Sequence, residues 1–146
     1  RILAYNTNMK NDCIFCKIIK GEISCNKIYE DDNVLAFLDI APVNIGHSLV
    51  IPKKHFLNIY ETPEGILTEM MKVVKIISHA LKSGLNADGI NITMNNEGAA
   101  GQVVFHSHIH IIPRIKNDGF GLWRGKRSYQ EGEAIKVAKK IVSSIP

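Results

Sequence analysis

The run from Gly101 to Arg114 constrains this chain more than any other stretch, because three histidines alternate with other residues inside an apolar, β-branched segment. The pattern predicts a strand across the run. Side chains of a strand alternate between its faces, so His106, His108 and His110 would point one way and Ser107, Ile109 and Ile111 the other. Neighbours on one face sit roughly 6.5–7 Å apart by strand rise, so a metal or a phosphate group could touch more than one imidazole. A single histidine on an apolar strand is ordinarily a hydrogen-bonded core residue, but three titratable rings in a row are costly to bury without partners or a ligand. Two chemistries use such a set: metal ligation, and nucleophilic catalysis on phosphorus.

At 146 residues the chain can bury one sizeable core, and its length predicts one domain. Hydrophobic residues make up 45% and charged residues 22%, which sets aside disorder, collagen and coiled coil. No apolar run is long enough to cross a bilayer and no signal-like series opens the chain, so a cytoplasmic protein without membrane contact is expected. The formal charge of +4 is partly clustered in Lys116 to Arg127 and Lys136 to Lys140. It suits an anionic small substrate; without a basic stripe interleaved with aromatics, a nucleic-acid partner is not expected. Of three cysteines, Cys13 and Cys16 form a Cys-x-x-Cys pair, while Cys25 reads as a small packing residue.

Residues 1–8 carry no pattern and precede Met9, so they are expected to be a disordered extension, with the domain proper spanning 9–146. Cys13 to Lys20 predicts a short helix closed by Gly21. Asn26 to Tyr29 and Val34 to Leu38 predict a hairpin, and His47 to Pro52 a third strand. Thr62-Pro63-Glu64 predicts a helix start with Thr62 as N-cap. That helix runs towards Ser83 with Ile66, Met70, Val73, Val74, Ile77 and Leu81 on one face, a solvated His79 off that face, and Gly84 as its end. A fourth strand over Ile90 to Met94 leads through a turn to the histidine run. Ser128 and Glu131 suggest a capping box that opens a final helix through Val142. A run of strands with one long helix inserted implies an α+β domain with a mainly antiparallel sheet.

Two separated stretches then agree with one family. His106-x-His108-x-His110-Ile-Ile, preceded by Gly101-Gln102 and, far upstream, by Gly46-His47-Ser-Leu-Val-Ile-Pro-Lys-Lys-His55, resembles the histidine-triad (HIT) family of nucleotide hydrolases and transferases. The likeness covers nearly everything from Cys13 to Trp123. It implies a five-stranded antiparallel half-barrel with one long helix, a short N-terminal helix and a C-terminal helix, a two-fold homodimer, and attack on the α-phosphate of a purine nucleotide. By position, His108 would be the nucleophile that forms a nucleotidyl-histidine, later hydrolysed by water. His110 and His47 would orient it and share hydrogen bonds around the phosphate, and Gln102 would donate to phosphate or to the bridging atom. Asn95 would lie beside Gln102; gapless counting favours it over Asn96. Asp39 matches the family's ribose contact, although the residues alone also allow an acidic loop residue capping local backbone. Ile14, Phe15, Leu38 and Ile40 would sandwich the base, and core packing explains them equally well.

Two positions depart from the pattern. Ser107 stands where the motif has a hydrophobic residue, and Val103 stands where many relatives place a phosphate-binding hydroxyl, leaving only its backbone amide. Cys13, Cys16, His55 and His106 match the structural zinc site of one branch of the family, with no catalytic metal required. Free thiols or a redox pair are the alternative for the cysteines. For the whole chain the alternatives are a hydrolase with a catalytic metal on His106, His108 and His110, and a nucleotide-binding scaffold with slow turnover. Trp123 could reach an active site or anchor packing.

Overall fold

The structure, a computed structural model, describes residues 12–121, 125 and 127–146. Residues 1–8 and Trp123, for which the sequence suggested roles, lie outside the described residues. The chain divides into two units, one ending at Lys116 and one spanning Asn117–Pro146.

The first unit is a five-stranded sheet. β1 (Lys27–Glu30) and β2 (Val34–Leu38) form the expected hairpin, turned by Asp31, whose Oδ1 accepts the N–H groups of Asn33 and Val34 at 2.9 and 2.7 Å. β3 (Ser48–Pro52), β4 (Gly89–Thr93) and β5 (Ile109–Arg114) complete the order β1-β2-β3-β5-β4, and every pairing is antiparallel. Strand alternation sorts the core into two layers. Val34, Ala36, Val50, Ile109 and Ile111 pack against α2 (Glu64–Leu85) through Met70, Val73, Val74, Ile77 and Leu81. Leu35, Phe37, Leu49 and Ile51 pack on the opposite face against α1 (Ile14–Ile19) and its flanking Cys13. Each fully buried side chain of this kind contributes about 1.5–3 kcal/mol relative to exposure. His110 pairs with Leu49 and so belongs to the α1 face of the sheet.

Four expectations need correction. The strand predicted over Gly101 to Arg114 starts only at Ile109, and the residues before it run as bends tied by side chains. Thr62 is not the N-cap of α2; Pro63 takes that place, with ψ at 145° and no side-chain cap. Thr62 instead serves Ser107. Its buried hydroxyl donates to the Asn58 carbonyl at 2.7 Å and lies 2.9 Å from the Ser107 hydroxyl, which satisfies the polar residue standing where the motif has an apolar one. Gly84 does not stop α2, which continues to Leu85 and is ended by Asn86 in the left-handed region at φ 54°, a conformation asparagine tolerates. In the second unit α3 (Glu133–Val142) is capped by Gly132 rather than Ser128, with the Glu133 carboxylate accepting the Gln130 N–H at 2.8 Å.

The Thr62–Ser107 contact yields a direct expectation. Thr62→Val leaves a buried hydroxyl without its partner and should lower stability by about 1–3 kcal/mol, read from urea unfolding midpoints. An unchanged midpoint would show that the pair contributes nothing.

Gly46 shows how closely the loop before β3 is seated. Its φ is +94°, and an added Cβ would collide with Leu85 and press on Leu81 and Pro113. Only glycine fits there, and the chain is thereby delivered to His47.

Candidate active site

His108 sits immediately before β5, buried, with its Nδ1 2.6 Å from the His106 carbonyl oxygen. A carbonyl only accepts, so Nδ1 carries the proton and donates it; in the neutral ring Nε2 then holds a free lone pair. The Phe15 ring makes a T-shaped contact with His108 at 5.3 Å between centroids, and the His110 ring makes another at 5.0 Å. Burial pushes the His108 pKa below its usual value, opposed by the bond to the His106 carbonyl and by the charge of Asp39. The ring is therefore a neutral base at pH 7, the form in which an imidazole is nucleophilic.

A second chain of hydrogen bonds fixes the neighbouring rings. The Val43 N–H donates to Nδ1 of His47 at 3.1 Å, so the neutral His47 ring carries its proton on Nε2. That proton faces Nδ1 of His110 at 2.9 Å, which in turn puts the His110 proton on Nε2. The Asp39 Oδ2 lies 3.6 Å from His47 Nε2, while its Oδ1 accepts the Ala41 N–H at 2.8 Å. Asp39 thus caps local backbone and biases the histidines electrostatically. Its carboxylate and the His47 and His110 rings are also close enough to hold a cation.

Burial, with the neighbouring His108 and His47 rings next, lowers the His110 pKa to about 4, and burial lowers that of His47. An unfolded histidine binds a proton near pH 6.5, so between about 6.5 and about 4 the unfolded state holds more protons than the native one. Stability supplied by these rings is complete above that window and lost as pH falls through it. His110→Gln should flatten the fall in urea midpoint between pH 6.5 and 4; an identical pH profile would remove His110 from the account.

The loop before the histidines is held by Gln102. Its Oε1 accepts the Glu97 N–H at 2.7 Å, and its Nε2 donates to the carbonyls of Leu57 at 2.6 Å and Val104 at 3.1 Å. Both amide N–H bonds are engaged, so the expected donation to a phosphate would require breaking one of them. The two asparagines differ. Asn96 Oδ1 accepts the Ile59 N–H at 2.8 Å, whereas Asn95 is half-buried with its Nδ2 3.8 Å from the Cβ position of Gly101. Val103 is 84% exposed and Ile40 fully exposed, with Leu38 at the margin of exposure. Phe15 differs from these expected base contacts: it is only 6% exposed and packs edge-on against Phe37, His106 and His108.

The first histidine of the run faces elsewhere. His106 is fully buried, and its Nε2 donates to the Pro52 carbonyl at 2.8 Å, leaving the Nδ1 lone pair aimed at Cys13 Sγ (3.5 Å), Cys16 Sγ (3.6 Å) and His55 Nδ1 (3.2 Å). Cys16 Sγ and His55 Nδ1 are 3.3 Å apart. These four side chains could hold a metal ion. Among the described residues His106, His108 and His110 do not form such a group; the run is divided, with His106 in one cluster, His110 in another and His108 in neither. The tautomer-setting acceptors and donors, Val43 N–H and the carbonyls of Pro52 and His106, have no side-chain signature and could not be read from the sequence.

Comparisons with known proteins place the chain among known relatives. The family model described as the HIT domain matches residues 20–117. The chain is 43% identical to adenylylsulfatase HINT3 of Arabidopsis thaliana over 141 residues, covering 96% of this chain and 71% of that protein. A crystal structure from Streptococcus mutans superposes with a TM-score of 0.87 at 41% identity, over 93% of this chain and 87% of that one. A zinc-bound histidine triad family protein from Mycobacterium smegmatis superposes with a TM-score of 0.74 at 38% identity, over 92% and 98% of the two chains.

Proposed function

We propose, from the premise that the chain belongs to the HIT domain family, that it hydrolyses purine nucleotides at the α-phosphate through a nucleotidyl-histidine on His108. The observation that carries this reading is the 2.6 Å contact of His108 Nδ1 with the His106 carbonyl, which leaves Nε2 as an unprotonated nucleophile. In the first step a bond forms between Nε2 and the α-phosphorus while the bond from phosphorus to the leaving group breaks. His110, whose tautomer is set by His47, donates a hydrogen bond from Nε2 to the phosphate oxygens, and the departing atom takes its proton from solvent water. Water then forms a bond to phosphorus as the bond from phosphorus to His108 Nε2 breaks, its proton passes to solvent, and the nucleoside monophosphate leaves with the His108 ring neutral again. By the family resemblance, Asp39 would accept from the ribose hydroxyls and Asn95 would contact the phosphate, with Leu38 and Ile40 offering apolar surface to the base. Gln102 acts by holding the 97–104 loop. The HIT domain is taken to span residues 9–146.

We assign the Cys13, Cys16, His55 and His106 cluster to a structural zinc. Tetrahedral zinc at about 2.3 Å from sulfur and 2.0–2.1 Å from nitrogen has S···N edges of about 3.5 Å and N···N edges of about 3.3 Å. The cluster has S···N distances of 3.3, 3.5 and 3.6 Å and an N···N distance of 3.2 Å. The set already fits the ion, and the His106 tautomer is the one a ligand needs. Zinc there supplies cross-linking of the N-terminal segment to the sheet. A homodimer is proposed with it, supported by the family resemblance and by β4, which ends the sheet with Ile92 exposed beside Met71 of α2.

The substrate class is tested by AMP release from adenosine 5′-phosphoramidate, a diadenosine polyphosphate and adenylyl sulfate, the last suggested by the name of the plant relative. Turnover of at least one, lost in His108→Ala, supports the reading. Turnover abolished by chelator while the fold persists, and retained in zinc-loaded His108→Ala, would favour a catalytic metal. Tight nucleotide binding without turnover would favour a scaffold.

A further inference from the structure

The metal cluster and the nucleophile are joined by three contacts that a purely structural site would not require. The carbonyl that fixes the His108 tautomer belongs to His106, a member of the cluster. The N–H of the intervening Ser107 donates at 2.6 Å to the carbonyl of Phe56, the residue next to His55. Phe15, which lies between Cys13 and Cys16 in the chain, sets its ring edge against both His106 and His108, with centroids at 5.8 and 5.3 Å.

Strand pairing does not hold this segment. The β3–β5 register ends at Val50 with Ile109, and the β4–β5 register at Thr93 with His110. Residues 106–108 lie before β5, where no ladder bond holds the backbone. The path of the nucleophile's own backbone is therefore set by His106, held between Pro52 and the three other members of the cluster, by Ser107 on the Phe56 carbonyl and the Thr62 hydroxyl, and by Phe15 against the ring.

We propose that the Cys13, Cys16, His55 and His106 cluster is a positioning device for His108, so that metal occupancy sets the tautomer and ring orientation of the nucleophile, with Phe15 as the positioning residue that carries the effect. The proposal rests on His108 being the nucleophile. Outer contacts of a metal site that orient a functional ring commonly change activity 10–100-fold when broken.

The test uses the full chain labelled with 15N-histidine at pH 7.5, loaded with zinc or stripped by chelator, and reads the His108 ring nitrogens by NMR beside steady-state kinetics. The zinc-loaded protein should show His108 protonated on Nδ1 alone. The stripped protein should show a mixed or exchanging His108 tautomer and a kcat lowered by about 10-fold or more, with KM changed under threefold, both restored on adding zinc. Unchanged His108 signals and kcat in a stripped, folded protein would overturn the proposal. If stripping unfolds the chain, zinc-loaded Phe15→Leu decides. Positioning predicts a fall in kcat with a disturbed His108 tautomer, whereas a base-contact role predicts a raised KM with kcat and tautomer intact, which overturns the Phe15 arm and the proposal with it. The NMR readout needs no turnover, so a zinc-loaded wild type that hydrolyses none of the substrates would refute the catalytic reading while the coupling is still decided by the tautomer.

Discussion

His108→Ala should abolish turnover of adenosine 5′-phosphoramidate, lowering kcat by about 10⁴-fold or more while the protein still binds nucleotide. Removing a covalent nucleophile leaves only binding and electrostatic stabilisation, and losses in comparable enzymes are of that size. The side chain is buried against Phe15 and His110, so its truncation also leaves a small cavity. A stability loss must therefore be separated from the catalytic one by measuring the variant well below its unfolding temperature. His108→Asn, whose amide nitrogen stands in for Nδ1 and can still donate to the His106 carbonyl, should be equally inactive with less loss of stability. Activity within tenfold of wild type in either variant would mean that another group attacks phosphorus.

Metal removal should have the second-largest effect, on stability. Anything that binds the folded state alone stabilises it by RT ln(1 + [L]/Kd), or about 4 kcal/mol at free zinc a thousand times its Kd. α1 is only six residues long, and an isolated helix of that length is not stable in water. Its anchorage is Phe15, Cys13 and Cys16 on the sheet, so the N-terminal segment should release first when the ion is withdrawn. Chelation is expected to lower the urea midpoint in wild type and to leave Cys16→Ser unaffected, because that variant has already lost the site. A wild-type midpoint indifferent to chelator, together with no zinc by elemental analysis, would return the cysteines to the thiol reading.

The fold was legible in the sequence wherever apolar alternation and turn residues coincide. β2 and β3 are apolar on both faces because α1 and α2 cover the two sides of the sheet, and the long helix announces itself through Met70, Val73, Val74, Ile77 and Leu81. The misreadings share a cause. The histidine run has strand composition, but what holds its first half is the Thr62–Ser107 contact, the Phe56 carbonyl and the cluster around His106, all distant in sequence. Thr62 looked like a cap because its partner lies 45 residues away. Gly84 looked like a stop because a local signal cannot show that Asn86 will take the left-handed turn instead.

The site was legible unevenly. Alternation alone pointed to three histidines acting together, yet the fold separates their surroundings, placing His106 in the cysteine cluster, His110 beside His47, and His108 between them on the His106 carbonyl. Only the family resemblance joined His106 to Cys13 and Cys16, since 90 or more residues separate them and no spacing rule connects the two stretches. The resemblance also suggested Gln102 as a phosphate donor, where its amide is engaged by three backbone groups. Phe15, read as a base contact, also sits against His108, a contact the sequence did not suggest.

The most direct test of the central claim is to mix the zinc-loaded protein with excess adenosine 5′-phosphoramidate, quench within the first turnover in alkali, which spares histidine–phosphorus bonds, and map the adduct by peptide mass. The account predicts one adenylyl group on the peptide that contains His108 and none in His108→Ala. Full AMP release with no adduct at any time, or an adduct on a different residue, would contradict it.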